Sequence, residues 1–391
     1  MLQTLEKRIK RHVIGRAHDF FAVTVPGFET ICAGELTALG LNVRTVFGGV
    51  EFSARLHEAY RANLTLRTAN RILMRIHSFR AIAFRSLEKA ASQFPWELFL
   101  PAGTTPKLHV TTHHCRLHHT DAIAERMAAS IQERLERANP AAPSTASMLA
   151  QEVFVRGTDD RFVVSIDSSG QNLYLRGIKT HSGKAPLRET MAAAALMYAG
   201  YTGGQPFLDP MCGTGTFAIE AALMAKSIPP GWFRDFAFMG WPGFRVKRWD
   251  YLRRKAAEGI QELGIPNIFA SDIDPEACRQ LDECIRRCTL IDAVSVACRD
   301  FFELDPRDVT DRPGLVALNP PYGRRIGNES ESRDRIDATL ARLRSHYAGW
   351  KFILIVPAGR ERLEIGTPVQ ENPFIHGGLK VSVMVGIIGS V

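Results

Sequence analysis

The sequence predicts an α/β protein in two parts: an open, mostly parallel sheet over the C-terminal half, and a smaller α+β region before it. Three observations carry this reading. Phe207-Leu208-Asp209-Pro210-Met211-Cys212-Gly213-Thr214-Gly215-Thr216 reads as the end of a buried strand, a tight glycine turn and the start of a helix near Phe217. Three later apolar segments end in polar residues in the same way: 267–274, 294–301 and 314–323, the last closing on Asn319-Pro320-Pro321-Tyr322. Upstream, residues 20 to 176 alternate short strands with helices.

A chain of 391 residues can bury two cores. Its apolar fraction of 45% and charged fraction of 23% are those of a globular protein. No apolar run is long enough to cross a bilayer, and the N-terminus lacks the apolar core of a secretory signal, so a cytoplasmic location is expected. The seven cysteines, an odd number without Cys-x-x-Cys spacing, point to neither a disulfide framework nor a zinc site. A net charge of +8 and a pI near 9.2 suit an acidic partner, nucleic acid above all, or a solvated basic surface.

Residues 1–18 form a basic arm, either frayed against RNA or a disordered terminus. Then follow a strand at 20–25, a helix at 29–39, strands at 43–47 and 50–52, and a helix at 57–74. On that helix Arg67, Arg71 and Arg75 share a face, either to hold phosphates or as a solvated stripe. A strand at 107–112 and an amphipathic helix at 121–137 lead through a loop at 139–145 to strands at 151–155, 162–167 and 173–175. His113, His114, Cys115, His118 and His119 cluster without the spaced pairs that close a zinc tetrahedron.

A polar join, 176–184, precedes a helix that Pro186 opens and that runs to about Tyr198. In the glycine turn, Gly213 and Gly215 let the backbone bend sharply and let a ligand approach its amides. Asp209 sits at the carboxyl edge of its strand, where open α/β sheets bind ligands; a carboxylate there suits a positively charged ligand and suits a pyrophosphate poorly. Residues 228–249 are rich in aromatics and prolines, a flank beside the site or a set of core rings. A helix at 332–347 and strands at 351–356 and 379–388 complete the sheet with an antiparallel edge.

The four strand ends together resemble the class I S-adenosylmethionine-dependent methyltransferases that modify exocyclic amines, whose sheet is Rossmann-like. The resemblance implies that Asp209 with Pro210, Cys212, Gly213, Thr214, Gly215 and Thr216 holds the methionine end of S-adenosylmethionine. It gives the ribose hydroxyls to Asp272 beside Ile273, and the adenine to Asp300 with Phe301. Leu187 and Thr190, at the start of the 185–198 helix, become cofactor contacts. The turn Asn319-Pro320-Pro321-Tyr322 becomes the catalytic element, with Asn319 also beside the cofactor. Two prolines stiffen it. The Asn319 side-chain oxygen and the Pro320 carbonyl then each accept an N–H of the target amine, and Tyr322 stacks on the extruded base. No metal is required.

The N-terminal half resembles a ferredoxin-like region plus THUMP domain of RNA-modifying enzymes, which makes the 113–119 segment, with Arg116, a loop near the RNA. The whole chain from about Phe20 resembles the THUMP-containing RNA guanine-N2 methyltransferases. The implied domains are a basic arm at 1–18, a ferredoxin-like plus THUMP RNA-binding region at 19–176, and a class I methyltransferase domain at 177–391. RNA-binding candidates are Arg67, Arg71, Arg116, Arg324 and Arg325. Within that family the chain resembles the N-terminal half of the bacterial bifunctional large-subunit rRNA methyltransferases and their stand-alone relatives. Departures from the bifunctional enzymes are the absence of a second methyltransferase domain after Val391, so that one activity is expected, and Gly323-Arg324-Arg325 where they carry an acid before the arginine. The target implied is guanine N2, in 23S rRNA before tRNA, with adenine N6 of nucleic acid as the alternative. A DNA-type enzyme would carry a target-recognition domain, and a protein glutamine methyltransferase a helical N-terminal bundle, against which the strands at 20–52 argue.

Overall fold

The computed structural model describes residues 2–138, 151–179, 187–320, 329–358, 365, 369–376 and 378–389. Two compact units result, neither continuous in sequence: Met1–Thr24, Cys32–Leu173 and Arg234–Arg254 form the first, and Val25–Ile31, Tyr174–Phe233 and Lys255–Val391 the second.

Helix α1 (Leu2–Ile9) opens the first unit and continues into a wider turn over Lys10–Ile14. The basic segment is therefore folded rather than frayed. Ile9 and Val13, one helical turn apart, are buried, and Arg8 pairs with Glu97 at 3.1 Å. There follow β1 (His18–Thr24), α2 (Glu29–Ala38), β2 (Val43–Val46), β3 (Gly49–Ala54), α3 (Leu56–Thr65), β4 (Ala69–Arg80), α4 (Phe84–Gln93), β5 (Lys107–His113), α5 (Thr120–Ala138), β6 (Glu152–Thr158) and β7 (Arg161–Asp167). The strands form one sheet in the order β2-β3-β1-β4-β7-β6-β5. Only β5 and β6 are parallel, with α5 as the crossover that a parallel pair needs. No strand forms at 173–175, where Leu173 donates its N–H to the Asn70 carbonyl at 2.8 Å.

The expected helix at 57–74 stops at Thr65, and its last third is strand β4. Leu66 is already extended, at φ −69° and ψ 123°. A spacing of four places residues on one face of a helix and also on one face of a strand, so the Arg71 and Arg75 repeat could not tell the two apart. In the strand both arginines face acids. Arg71 pairs with Asp167 and with Glu152 (2.8 Å), and Arg75 pairs with Glu51 (2.7 Å). Among the rings of 228–249, Phe236, Phe238, Trp241 and Trp249 are core residues, and Phe238 stacks on Tyr60 at 4.2 Å.

In the second unit α6 (Glu189–Tyr198), β8 (Phe207–Asp209) and α7 (Thr216–Ala225) come first; α8 (Val246–Ala257) then begins in the segment returned to the first unit. Next come β9 (Ile268–Asp272), α9 (Pro275–Arg287), β10 (Val294–Cys298), β11 (Leu315–Leu318), α10 (Glu329–His346), β12 (Lys351–Pro357), β13 (Gln370–His376) and β14 (Leu379–Ile387). The sheet order is β10-β9-β8-β11-β12-β14-β13. The first five strands are parallel, and β14 runs antiparallel to both neighbours. Leu315 to Leu318 are wholly buried, as a central strand covered on both faces must be. Strand β13 escapes the sequence reading because it is polar and holds Pro373, a composition tolerated only at an edge.

Candidate active site

Strand order and register bring the four polar strand ends together. The chain builds β8, β9 and β10 outward in one direction and then returns to place β11 on the other side of β8, which makes the β8/β11 boundary the switch point where such sheets bind ligands. Leu208 is level with Val316 and Phe269, Asp209 with Ala270, and Asp272 with Cys298. Asp209, Asp272, Asp300 and Asn319 therefore all sit at the carboxyl edge of adjacent strands, which lie about 4.8 Å apart.

The glycine turn is tied down from several sides. Gly213 and Gly215 both have left-handed backbone, with φ of 50° and 72°. Gly215 has no room for a side chain, since a Cβ there would meet Leu281 Cδ1 at 2.3 Å. The Cys212 N–H donates to the Ser271 carbonyl at 2.9 Å, and the Gly213 N–H to Asp272 Oδ2 at 2.8 Å. Asp272 Oδ1 accepts from Asp274 N at 3.0 Å. Each Asp272 oxygen thus takes one backbone N–H, and a carboxylate oxygen keeps a further lone pair for a diol.

Asp209 is fully buried and accepts the Ala218 N–H at 3.1 Å. Burial pushes its carboxyl up to about 7; the Ala218 N–H opposes the rise, Asp272 adds to it and Lys179 opposes it. Lys179 Nζ donates to Thr216 Oγ1 at 2.6 Å and to Thr214 Oγ1 at 3.4 Å, and pairs with Glu189 at 3.1 Å. Sequence reading missed this lysine, which orders the turn from the preceding join. It also missed Arg176 and Glu220, paired at 2.9 Å while both are buried, which lets an acid sit inside the otherwise apolar α7.

A cavity of about 460 Å³ lies beyond β9 and β10, lined by Ile273, Cys298, Arg299, Asp300, Glu303 and Leu304. Ile273 is 70% exposed in this cavity, and Asp300 offers it a carboxylate whose Oδ1 also caps Phe302 N at 2.9 Å. Phe301, by contrast, is a core ring 6.0 Å from Tyr347. Leu187 and Thr190 are buried at the start of α6, and Pro210 is buried after β8. Cys278 was unremarked in the sequence; its thiol donates to the Asp272 and Ala297 carbonyls at 3.5 and 3.4 Å, joining the ends of β9 and β10.

Asn319 follows β11 with its side-chain oxygen buried and, among the described residues, without a hydrogen-bond partner. Buried acceptors are rarely left so, since an unmet acceptor costs about 1–3 kcal/mol. Pro320 beside it is buried, whereas Pro321, Tyr322, Arg324 and Arg325 lie outside the described residues. Of the arginines assigned to RNA, Arg71 is committed to Asp167 and Glu152. Arg67 donates its backbone N–H to Glu35 Oε1 at 2.7 Å. Arg116 remains 72% exposed, 3.9 Å from Asp160. Among the described residues no group of three or more His, Cys, Asp or Glu is arranged to hold a metal ion, and no helix is long and apolar enough to cross a membrane.

Sheet order, glycine turn and polar strand ends define a class I methyltransferase domain. Residues 176–364 match the family described as RMKL-like, methyltransferase domain, and residues 19–73 match the RlmL ferredoxin-like domain. The chain is 32% identical over 371 residues to the ribosomal RNA large subunit methyltransferase K/L of Methylococcus capsulatus, covering 92% of this chain and 50% of that protein. It thus spans about half the length of that relative. It is 30% identical to the "Putative RNA methyltransferase" of Synechocystis sp., covering 85% of this chain and 86% of the relative. A crystal structure of a "putative methyltransferase complexed with SAH" superposes with a TM-score of 0.82 at 25% identity, over 96% of this chain and 99% of that one. The chain belongs to the RMKL-like methyltransferase family.

Proposed function

We propose that this chain transfers a methyl group from S-adenosylmethionine to the exocyclic N2 amine of a guanine in RNA, in the cytoplasm, with large-subunit ribosomal RNA as the target ahead of tRNA. The observation that carries the proposal is the Asn319 oxygen, a buried acceptor without a partner among the described residues, beside the switch point of the sheet. The residues at that edge fit the cofactor. Asp209 faces its cationic end, Asp272 has lone pairs for the ribose hydroxyls, and the cavity lined by Ile273 and Asp300 takes the base. Bound there, S-adenosylmethionine supplies a methyl group already attached to a good leaving group.

The chain then supplies position rather than acid–base power. An exocyclic amine has its lone pair delocalised into the ring, so it must be turned and held. Asn319 Oδ1 and the Pro320 carbonyl each accept one N–H and aim the lone pair at the methyl carbon. On sequence grounds Tyr322 provides a ring for the extruded base, at about 1–3 kcal/mol, and Arg324 and Arg325 donate to guanine O6 and N7. The exposed Arg116 of the first unit and the whole chain's net charge of +8 support phosphate contacts. The likeness to the ribosomal RNA large subunit methyltransferase K/L of Methylococcus supports ribosomal RNA as the substrate.

The test is methylation of large-subunit rRNA and of tRNA transcripts with methyl-labelled cofactor, followed by nucleoside digestion. Label in N2-methylguanosine of the rRNA is expected. Label only in N6-methyladenosine would replace guanine with adenine as the target, and label only in tRNA would replace the substrate.

A further inference from the structure

A second cavity, of about 340 Å³, lies wholly within the first unit, where the N-terminal ends of α3 and α8 meet the turn after α1. Arg55, Arg245 and Arg248 ring it, with His57 beside them and Tyr60, Ile14 and Leu56 forming the wall. No ion pair among the described residues involves any of the three arginines, although twelve other arginines are so paired. The nearby acid, Glu58, is spent on capping: its Oε2 accepts the Arg55 N–H at 2.6 Å. Arg245 keeps its Nη1 on the Pro242 and Phe244 carbonyls, at 3.3 and 3.0 Å, which holds that guanidinium in place.

Two further features suit an anion. Both helices direct the positive end of their dipole at the cavity, and the first N–H groups of any helix lack partners within it. Tyr60 is 2% exposed, yet its hydroxyl has no hydrogen-bond partner among the described residues. Its ring is fixed by stacking on Phe238 at 4.2 Å and by the edge of Phe244 at 5.8 Å, so the hydroxyl cannot swing away to water. Gly243 permits the wall to close, because a Cβ there would press on Leu56 Cδ1 at 3.1 Å and Val13 Cγ1 at 3.3 Å.

We infer that this cavity is a phosphate-binding site, and that it takes a backbone phosphodiester of the RNA substrate with the adjoining sugar against the wall of Ile14, Leu56 and Tyr60. The inference rests on the reading of the chain as an RNA methyltransferase and adds where the RNA is gripped away from the reacting amine. Arginine is the side chain best shaped for phosphate oxygens, and the volume exceeds that of a bare anion. A free mononucleotide or inorganic phosphate would use the same groups, and the experiment separates these sources.

The 391-residue chain and its double variant Arg55→Gln/Arg248→Gln are titrated with a labelled large-subunit rRNA transcript over a range of KCl, with cofactor affinity measured alongside to establish that the variant is folded. Loss of about tenfold in RNA affinity is expected at low salt, with the slope of log K against log salt reduced by about 1.4, or 0.7 for each charge removed. Tyr60→Phe keeps the stacked ring and should cost about fivefold in affinity with no change of slope. Lys89→Gln, an exposed charge on α4, should change neither beyond twofold. Adenosine 5′-monophosphate and inorganic phosphate should compete with the RNA only at millimolar concentration. Unchanged affinity and slope in the double variant would overturn the site, as would an equal effect from Lys89→Gln. Micromolar binding of the mononucleotide or phosphate, with RNA affinity untouched by the double variant, would make this a small-molecule site. Wild-type protein that binds no RNA at any salt would instead bring down the reading on which the inference rests.

Discussion

The acid at the head of the glycine turn is expected to make cofactor affinity depend on pH near neutrality. Asp209 is fully buried, and that burial lifts its carboxyl to about 7 from an ordinary 3.8. A cationic cofactor binds the ionised form, so the apparent dissociation constant scales with the inverse of the ionised fraction. At pH 8 about nine-tenths of Asp209 is ionised and at pH 6 about one-tenth, so affinity should fall about tenfold between them. About 0.9 proton should be released per cofactor bound at pH 6 and about 0.1 at pH 8. Stability runs the other way. A raised carboxyl pKa stabilises the cofactor-free fold below about 3.8, and this contribution is lost as pH rises through 7. Calorimetric titration of the wild type in two buffers of different ionisation enthalpy measures both affinity and proton release, and Asp209→Asn should bind weakly with a flat profile. Equal affinity at pH 6 and 8, with no proton release, would refute the assignment of Asp209 to the cationic end. Asp167, the other acid raised to about 7 chiefly by burial, belongs to the first unit, so the melting temperature of Asp209→Asn should remain pH-dependent while its cofactor affinity does not.

Asn319→Ala should lower the transfer rate at least a hundredfold and leave cofactor affinity within about threefold, read by single-turnover kinetics and calorimetry, because the amide orients the amine. Arg71→Gln should destabilise the first unit by about 3–5 kcal/mol in urea unfolding, because it strands the buried Asp167; a marginal change in stability with a large loss of RNA binding would return Arg71 to the RNA surface. Gly215→Ala should cost about 2–3 kcal/mol and weaken cofactor binding, since it adds left-handed strain to a clash with Leu281. A fragment of residues 177–391 should aggregate, because Phe236, Phe238 and Trp249 would lose the Tyr60 side of their core.

The sequence by itself determined the strands of the second unit except β13. Its strands are short apolar runs that end in Asp209, Asp272, Asp300 and Asn319, and a parallel sheet must collect such ends on one edge. Local chemistry decided the turn as well, because Gly215 is required by both its φ of 72° and the space that Leu281 occupies. Three other matters were decided only by tertiary structure. Arg71 and Arg75 recur at a spacing that helix and strand share, and pairing with β1 and β7 made them strand residues facing Glu51, Glu152 and Asp167. The aromatic segment at 234–254 is apolar enough for either unit, and contacts far along the chain assign it to the first: Phe238 stacks on Tyr60, 178 residues earlier, and Trp241 Nε1 donates to Gln151 Oε1 at 3.0 Å. Lys179 over Thr216, and Arg176 against Glu220, join residues some 40 positions apart. Periodicity reports which face of a segment is buried; it carries no term for which distant residue will lie against that face, and that choice belongs to the packed core.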